Sequence, residues 1–387
     1  MPNTDVIDKV LRDAVNAGEV PGVTAAAATS EGILHEAAFG RRGLGDDAAM
    51  TIDTVFRIAS MTKAVTGAAA MQMVEQGKLS LDQPAGDLLP FLAKPMVLDG
   101  FDEAGEPKLR PARGTVTLRN LLTHTAGFVY DTWNENMNRF AAKTGLPAAR
   151  TGKIEALQAP LGFDPGERWE YGINIDIAGR MVEVASGQNL EKYFHDHIFG
   201  PLGMADSGFV LKPQWKGRLA QVHTRDAAGA LTPIDVPPPV ENPSFFAGGG
   251  GLFSTSRDYL KFLQALMHGG AGILKPETVA LMGQNHMGAL NVLPMKTFNP
   301  RMSNDCELFP GMDKKWGLTF LINTQDVPGG RSAGSLAWAG INNTYYWLDP
   351  TKKVAGVIMT QILPFADPVV LGLLNRFEQA VYGAIKQ

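Results

Sequence analysis

Ser60-Met61-Thr62-Lys63 lies between a strand-like run, Thr54 to Ile58, and a helix-like run, Ala64 to Gln76. Residues i and i+3 share one face of a helix, so a serine that opens a helix can hold a lysine amine within reach of its hydroxyl. Backbone N–H groups and the positive end of the helix can stabilise an oxyanion at such a junction. No other serine of the chain has a lysine three residues later. The stretch therefore predicts a nucleophile, Ser60, with its own amine, Lys63; the alternative is a serine N-cap followed by a solvated lysine.

Three further segments add chemistry to that pair. Tyr171 begins a helical pattern, so its phenol is predicted at a helix start, a position that suits a proton shuttle. The segment Leu121 to Gly127 places His124 in a turn. The strand-like run Ser335 to Ile341 contains Gly340, which lets another backbone approach closely, as an oxyanion site beside a sheet edge requires.

Five motifs, taken in chain order, resemble those of the serine hydrolases of the class C β-lactamase and penicillin-binding-protein superfamily. They are S-x-x-K at 60–63, L-L-T-H-T-A-G at 121–127, the Tyr171 motif, G-G-G-G-L-F-S-T-S-R-D-Y at 248–259 and W-A-G at 338–340. The chain looks most like the family VIII carboxylesterases, because Trp338-Ala339-Gly340 stands where β-lactamases and transpeptidases carry Lys-Thr-Gly. A second departure is Ile173, since β-lactamases have Asn two residues after the Tyr. Both departures remove groups that would hold a β-lactam, so the resemblance implies ester rather than efficient β-lactam hydrolysis.

The hydrophobic patterning predicts an α+β fold, which the resemblance identifies as β-lactamase/transpeptidase-like: an antiparallel sheet flanked by helices, with a second, mainly helical domain. Short turns between the late strand-like runs imply antiparallel pairing. Residues 1–85 and 235–387 are predicted to form a discontinuous α/β domain, and residues 86–234 a mainly helical domain that carries the Tyr171 motif. The main predicted elements are helices at 6–17 and 367–386 and strands at 22–29, 33–39, 316–323, 335–342, 344–348 and 354–363.

We interpret the chain as a cofactor-free serine carboxylesterase, with no metal, that acts on short to medium acyl esters through an acyl-enzyme. Ser60 is expected to attack the ester carbonyl after losing its proton to the pair Lys63 and Tyr171, either of which is a candidate for the formal base. The resemblance implies an oxyanion hole formed by the backbone N–H groups of Ser60 and Ile341. The remaining candidates are His124 and Asn174 as orienting residues, and Trp338, Ala339, Gly340, Phe128, Tyr130, Trp133 and Phe246 as the substrate pocket.

Other interpretations stay open. One is an amide-directed member of the same superfamily (a β-lactamase, a D-amino-acid peptidase or an amide oligomer hydrolase) or an acyltransferase that prefers an alcohol to water. Another is a non-catalytic ligand-binding relative, which usually loses the nucleophile, the amine or the Tyr, whereas this chain retains all three. The segment Gly330 to Gly334 also matches the G-x-S-x-G elbow of α/β-hydrolases. It is predicted to join two strands with no helix after it, so Ser332 is interpreted as a loop residue.

Composition weighs against several other classes of protein. With 387 residues, the chain can form a large core. Its net charge is −4 and its isoelectric point is near 6.0, so no nucleic-acid partner is expected. We predict no signal peptide, no membrane span and hence a cytoplasmic location. The single cysteine, Cys306, cannot form an intramolecular disulfide. The expected partner is a small-molecule ester, and the sequence leaves a homo-oligomer open.

Overall fold

A computed structural model describes residues 4–385 of the chain. The ends of the predicted discontinuous domain, residues 1–3 and 386–387, and with them the last predicted helical residue, Lys386, lie outside the described residues. Within 4–385 the fold is α+β, as predicted, and it is built on an eight-stranded sheet in which all neighbouring strands are antiparallel.

The strands of the described chain form one large and three small sheets. In chain order they are β1 (Gly22–Thr29), β2 (Gly32–Gly43), β3 (Asp46–Ala49), β4 (Phe56–Arg57), β5 (Met96–Phe101), β6 (Pro107–Pro111), β7 (Val222–Arg225), β8 (Leu231–Ile234), β9 (Phe253–Ser254), β10 (Lys314–Trp316), β11 (Leu321–Asn323), β12 (Leu336–Gly340), β13 (Thr344–Asp349), β14 (Val354–Met359) and β15 (Ile362–Leu363). The large sheet has the order β10-β11-β12-β13-β14-β1-β2-β3, so its two ends come from the two ends of the chain.

Helices cover both sides of this sheet and fill the middle of the chain. They are α1 (Asp5–Asn16), α2 (Thr62–Glu75), α3 (Leu118–Leu122), α4 (Glu135–Thr144), α5 (Asn174–Ser186), α6 (Leu190–Phe194), α7 (Gly200–Leu202), α8 (Ser256–Met267), α9 (Pro276–Met282) and α10 (Pro368–Ile385). Helix α1 packs against α10, and α8 packs against β1 and β14. The small side chains of Ala25 to Ala28, all fully buried, let these layers lie close to β1. None of the helices in residues 4–385 is both long and apolar enough to cross a lipid bilayer.

The predicted division into two domains remains a prediction, and the middle region contains strands as well as helices. Residues 86–234 include the hairpin β5–β6 and the pair β7–β8. Strand β7 also pairs in parallel with β15, which comes from the C-terminal part of the chain. The middle region is therefore joined to the C-terminal part by backbone hydrogen bonds.

The predicted strand at 316–323 was wrong as a single strand. The structure has two short antiparallel strands there, β10 and β11, separated by a tight turn. A Cβ atom at Gly317 would lie 2.3 Å from the carbonyl oxygen of Met282, and Thr319 has a φ of +78°. The positive φ of Thr319 is incompatible with a continuous strand, and the close approach of Met282 leaves no room for a side chain at Gly317.

Helix α2 brings the predicted catalytic residues into the interior. Every residue from Thr62 to Met73 is buried, so this part of the helix is enclosed by protein on all sides rather than on one face. It packs against α5, which follows Tyr171, and strand β12 lies against the turn that contains Ser60. The segments that contain Ser60, Tyr171 and the W-A-G motif therefore meet between the large sheet and the helices of the middle region.

Candidate active site

Ser60 lies in a 3-10 turn, Ala59–Met61, between the two-residue strand β4 and helix α2. The turn begins with Ala59 at a φ of +45°, a conformation that non-glycine residues seldom adopt. Ser60 is half-buried, whereas Met61 after it is fully buried. The serine hydroxyl is thus held at the edge of the core in a constrained backbone, where a substrate can reach it.

Lys63 is fully buried and contacts the serine directly. Its Nζ lies 3.1 Å from Ser60 Oγ, 3.2 Å from the Tyr130 hydroxyl and 2.6 Å from the carbonyl oxygen of Gly249. Burial lowers the pKa of Lys63 to about 7, although the nearby carboxylate of Asp176 acts in the opposite direction. An amine with this pKa can exchange a proton with Ser60 near neutral pH.

Tyr171 reaches the same serine from the start of α5. Burial raises the pKa of its phenol, and hydrogen bonds with the Ser60 hydroxyl and the Trp338 indole partly oppose that rise. The indole Nε1 of Trp338 donates to the Tyr171 hydroxyl at 3.0 Å. The Lys63 nitrogen lies 4.7 Å from the centre of the Tyr171 ring. The structure therefore brings Ser60, Lys63 and Tyr171 together, and it gives Trp338 a polar contact in addition to its place in the sheet.

Tyr130, predicted only as a pocket residue, contacts the Lys63 amine through its hydroxyl. Burial raises the pKa of this phenol well above its usual range, so it is uncharged near neutral pH. Its ring lies 5.2 Å from the ring of Tyr171. Two phenols thus flank one amine. In the sequence, Tyr130 stands three residues after Gly127 and lies outside the L-L-T-H-T-A-G motif, so no motif marks it as a contact of Lys63.

His124 and Asn174 lie behind Tyr171. The Asn174 amide nitrogen donates to the carbonyl oxygen of Phe128 at 2.8 Å and lies 3.0 Å from Nδ1 of His124. The Gly172 N–H also points at this Nδ1, so Nδ1 accepts and the neutral ring carries its proton on Nε2. Burial and the charge of Lys63 hold the pKa of His124 well below its usual range. A neutral imidazole 4.8 Å from the Tyr171 ring supports that ring by packing.

The W-A-G strand passes close to the nucleophile. A Cβ atom at Gly340 would lie 2.3 Å from the carbonyl oxygen of Ile58, two residues before Ser60. Ala339, buried, pairs with Tyr345 in the sheet, and Ile341 follows directly after β12. The glycine predicted to allow close backbone approach is therefore in such a contact. The oxyanion-hole function of Ser60 and Ile341 stays a prediction.

The predicted aromatic pocket residues occupy different places. Trp133 lies 5.4 Å from the Tyr171 ring, and its indole donates to the Ser303 hydroxyl. Phe128 is fully buried in the core and contributes its carbonyl to Asn174. Phe246 packs against Phe209. A cavity of about 260 Å³, counting its space open to solvent, lies beyond Trp338 and is lined by Trp169, Val292, Leu293, Met295, Cys306, Glu307, Leu308, Lys314, Leu321 and Trp338.

Ser332, the alternative nucleophile, lies in the loop between β11 and β12 and is buried. Its N–H donates to Asp349, and its carbonyl accepts from the Ser335 hydroxyl and the Asn323 amide. This loop joins two strands, unlike the strand-to-helix turn of an α/β-hydrolase elbow. The contacts indicate that Ser332 stabilises the loop.

Replacing Trp338 by phenylalanine is expected to lower kcat for ester turnover by about tenfold with little change in KM, because one neutral hydrogen bond to the Tyr171 phenol is lost. Steady-state kinetics with a p-nitrophenyl ester would measure the effect. Trp347→Phe is the matched control, since its buried indole N–H has no hydrogen-bond partner within residues 4–385. Equal kcat values in the two variants would contradict a function of Trp338 in proton transfer.

Comparison with known proteins agrees with this arrangement. The Beta-lactamase family model matches residues 7–380. A monacolin J acid methylbutanoyltransferase from Aspergillus terreus is 34% identical, with 99% of this chain and 96% of that protein covered. A lovastatin esterase from Penicillium rubens is 31% identical, with 97% and 98% covered. The unliganded structure of the simvastatin synthase LovD from Aspergillus terreus superimposes with a TM-score of 0.88 at 32% identity, covering all of both chains.

These matches extend over nearly the whole chain, and the solved structure shares the sheet and helices described above. The predicted β-lactamase/transpeptidase-like fold and superfamily are confirmed. Relatives that transfer acyl groups and a relative that cleaves an ester occur side by side among the similar proteins. The chain belongs to the Beta-lactamase family, within the superfamily of serine hydrolases and acyltransferases.

Proposed function

We propose that this chain is a serine carboxylesterase that cleaves short to medium acyl esters through an acyl-enzyme on Ser60. The observation that carries the proposal is the contact between Ser60 Oγ and the buried Lys63 amine at 3.1 Å. The choice of an ester rests on Trp338, which contributes an indole N–H where β-lactamases carry a lysine ammonium.

In acylation, the free Lys63 amine takes the proton of the Ser60 hydroxyl while the serine oxygen bonds to the ester carbonyl carbon. With a pKa of about 7, roughly half of the Lys63 amines are unprotonated at neutral pH. The oxyanion that forms on the carbonyl accepts hydrogen bonds from the N–H groups of Ser60 and Ile341. Lys63 is thus the formal base in this proposal.

Collapse of the tetrahedral intermediate breaks the bond to the alcohol oxygen, and Tyr171 gives its phenol proton to the departing alkoxide. Because the pKa of Tyr171 is raised, this phenol stays protonated until the strongly basic alkoxide leaves and accepts the proton. The Lys63 ammonium then returns a proton to the phenolate. A water molecule attacks the acyl-enzyme and loses a proton to Lys63. When the bond between the acyl carbon and Ser60 Oγ breaks, the Lys63 ammonium returns that proton to the serine oxygen, so that the carboxylic acid leaves and both Ser60 and the free amine are restored.

The second candidate function is acyl transfer to an alcohol. It is favoured by the 34% identity with a methylbutanoyltransferase over nearly the whole chain. The same acyl-enzyme serves both reactions, because an acceptor hydroxyl replaces water in the second half. Adding an alcohol to the ester assay distinguishes them: acyl transfer makes the ratio of new ester to free acid rise in proportion to the alcohol concentration. Cyclohexanol is a simple acceptor, and monacolin J acid is the molecule for which the Aspergillus relative is named.

We expect p-nitrophenyl butyrate to be turned over with a kcat/KM several orders of magnitude above that of a chromogenic cephalosporin. Charge-assisted donors for the drug are missing at Trp338 and at Ile173, and each is worth about 1.5 to 3 kcal/mol, or roughly ten- to 150-fold. Both substrates are measured on one preparation, and Ser60→Ala supplies the background rate. A cephalosporin kcat/KM equal to that of the best ester would favour a β-lactamase, and no turnover of either would favour a binding protein.

A further inference from the structure

A buried carboxylate lies close to the amine that the mechanism uses. Asp176 is the third residue of α5, and only 1% of its surface is exposed. Its Oδ1 accepts a hydrogen bond from the N–H of Gly249 at 2.9 Å. A buried carboxylate is costly unless it is hydrogen-bonded and paired with an opposite charge. The proposed reaction does not touch Asp176, so its contact with Gly249 calls for an explanation.

Gly249 connects this carboxylate to Lys63. Its N–H donates to Asp176, and its carbonyl oxygen accepts from Lys63 Nζ at 2.6 Å, the shortest of the three contacts of that nitrogen. The Thr66 hydroxyl donates to the carbonyl of Gly248, and the N–H of Leu252 donates to the Thr62 hydroxyl. Helix α2 therefore holds the segment on both sides of Gly249, and Asp176 holds Gly249 itself.

Only glycine fits at position 249. A Cβ atom there would lie 2.4 Å from Asp176 Oδ2, which is too close for any side chain without movement of the carboxylate or of the segment. At Gly250 the nearest heavy atom to an added Cβ would be 3.8 Å away, an ordinary van der Waals contact. Within the glycine run at 248–251, position 249 thus requires glycine because Asp176 lies so close, whereas position 250 has room for a methyl group.

We propose that Asp176 is a positioning residue, which fixes the place of the Lys63 amine through the backbone of Gly249 and favours the ammonium form of that amine by its own negative charge. The proposal rests on the proposed function, because it assumes that Lys63 serves Ser60. The carboxylate of Asp176 holds the N–H of Gly249, and the carbonyl of Gly249 accepts one N–H of the Lys63 amine. The other hydrogen-bonding directions of that nitrogen then point to Ser60 and Tyr130.

The charge of Asp176 also acts on Lys63 directly. Four titratable groups face the amine: His124, Tyr130, Tyr171 and Asp176. The shifted pKa values of the histidine and of both phenols leave these three uncharged near neutral pH. Burial raises the pKa of Asp176 above its usual value, and the positive charge of Lys63 and the Gly249 N–H partly oppose that rise. Among these four groups the carboxylate is therefore the one that favours the ammonium form of Lys63.

Asp176→Asn tests the charge while it keeps an oxygen for the Gly249 N–H. Removing the negative charge disfavours the ammonium, so the pKa of Lys63 should fall from about 7 by about one unit or more. Lysine labelled with ¹³C at Cε reports this titration by NMR, and the resonance missing from Lys63→Met identifies Lys63. Asp206→Asn, a carboxylate that pairs with Arg218 instead, is the control and should leave the titration unchanged.

The same variants separate this inference from the proposed function. In the wild type, a fluorophosphonate should label Ser60: the serine oxygen displaces fluoride from phosphorus and its proton passes to Lys63. The acidic limb of the labelling rate should move to lower pH in Asp176→Asn. An unchanged Lys63 titration in Asp176→Asn overturns the inference, whatever the labelling. No labelling of the wild type overturns the proposed function, while the NMR titration still tests Asp176.

Gly249→Ala and Gly250→Ala test the position of the amine. The first should lower the labelling rate and kcat by at least about a hundredfold, because a displaced carbonyl no longer holds the amine at the serine. The second should stay within about threefold of the wild type. Circular dichroism checks that both variants are folded. Equal rates in the two folded variants would overturn the function assigned to Gly249.

Discussion

Ser60→Ala is expected to leave a folded protein whose kcat for p-nitrophenyl butyrate is lower by at least about four orders of magnitude. The acyl-enzyme needs an oxygen, and Ser60 supplies the hydroxyl that lies 3.1 Å from the Lys63 amine. Because the serine is half-buried at the edge of the core, its loss should cost little stability. Ester kinetics and thermal unfolding of the purified variant measure both effects.

Ser332→Ala is the matched control for this result. Ser332 contacts Asp349, Asn323 and Ser335 through its backbone, and these hydrogen bonds do not need the Ser332 hydroxyl. Its kcat should therefore stay within about twofold of the wild type. Loss of activity in Ser332→Ala together with full activity in Ser60→Ala would falsify the assignment of the nucleophile and would favour an α/β-hydrolase elbow.

The catalytic pair could be predicted from the sequence because its geometry is local. Ser60 and Lys63 are separated by less than one helical turn, so the turn and the start of α2 bring them together whatever else packs around them. Strands β1, β2, β12, β13 and β14 could be predicted for a similar reason, since their apolar runs are bounded by turn residues. The strand predicted at 354–363 was wrong as a single strand, because it continues past β14 into β15, which belongs to another sheet. Tyr171 and Trp338 were predicted through their motifs, and their contact in space then follows from the fold.

The contacts that depend on distant backbone could not be predicted. Tyr130 lies among Phe128 and Trp133 in sequence, a pattern that indicates an apolar wall, and its hydroxyl meets Lys63 only because the chain turns at Gly127. Asp176 lies between two buried isoleucines, and its partner is a main-chain N–H far away in the chain. Side-chain patterns carry little information about contacts with main-chain groups, because any residue can supply them.

The break between β10 and β11 could not be predicted either, because it also depends on contacts with a distant part of the chain. The run Trp316 to Asn323 is apolar enough to be one strand, but the chain turns between Gly317 and Phe320, where Thr319 has a positive φ and the carbonyl of Met282 lies against Gly317. The packing of α9 is a tertiary effect that overrides the local preference for a strand. The sequence thus predicts helices and strands well where the local residue pattern determines them. It predicts them less well where the packing of another element changes the path of the backbone.

Lys63→Ala, Tyr171→Phe and the double variant are expected to have kcat values within about tenfold of one another, each far below the wild type. The Lys63 amine hydrogen-bonds the Ser60 hydroxyl, and the same hydroxyl acts on the pKa of the Tyr171 phenol, so both groups are expected to act on one proton. Once either group is removed, the route for that proton is interrupted, and removing the second group adds little. Ester kinetics on the three variants at one pH, with Ser60→Ala as background, measure this.

Tyr130→Phe is the control for this experiment, because it removes the other phenol hydroxyl near Lys63. Its hydroxyl also contacts Lys63, at 3.2 Å, but its described hydrogen bond goes to the amine and not to the serine. It should lower kcat by about tenfold, the effect of one lost hydrogen bond. If the losses in Lys63→Ala and Tyr171→Phe multiply in the double variant, the two groups act in separate steps. In that case Lys63 would act only as the base and Tyr171 only as the acid, and the serine proton would not pass from Lys63 to Tyr171.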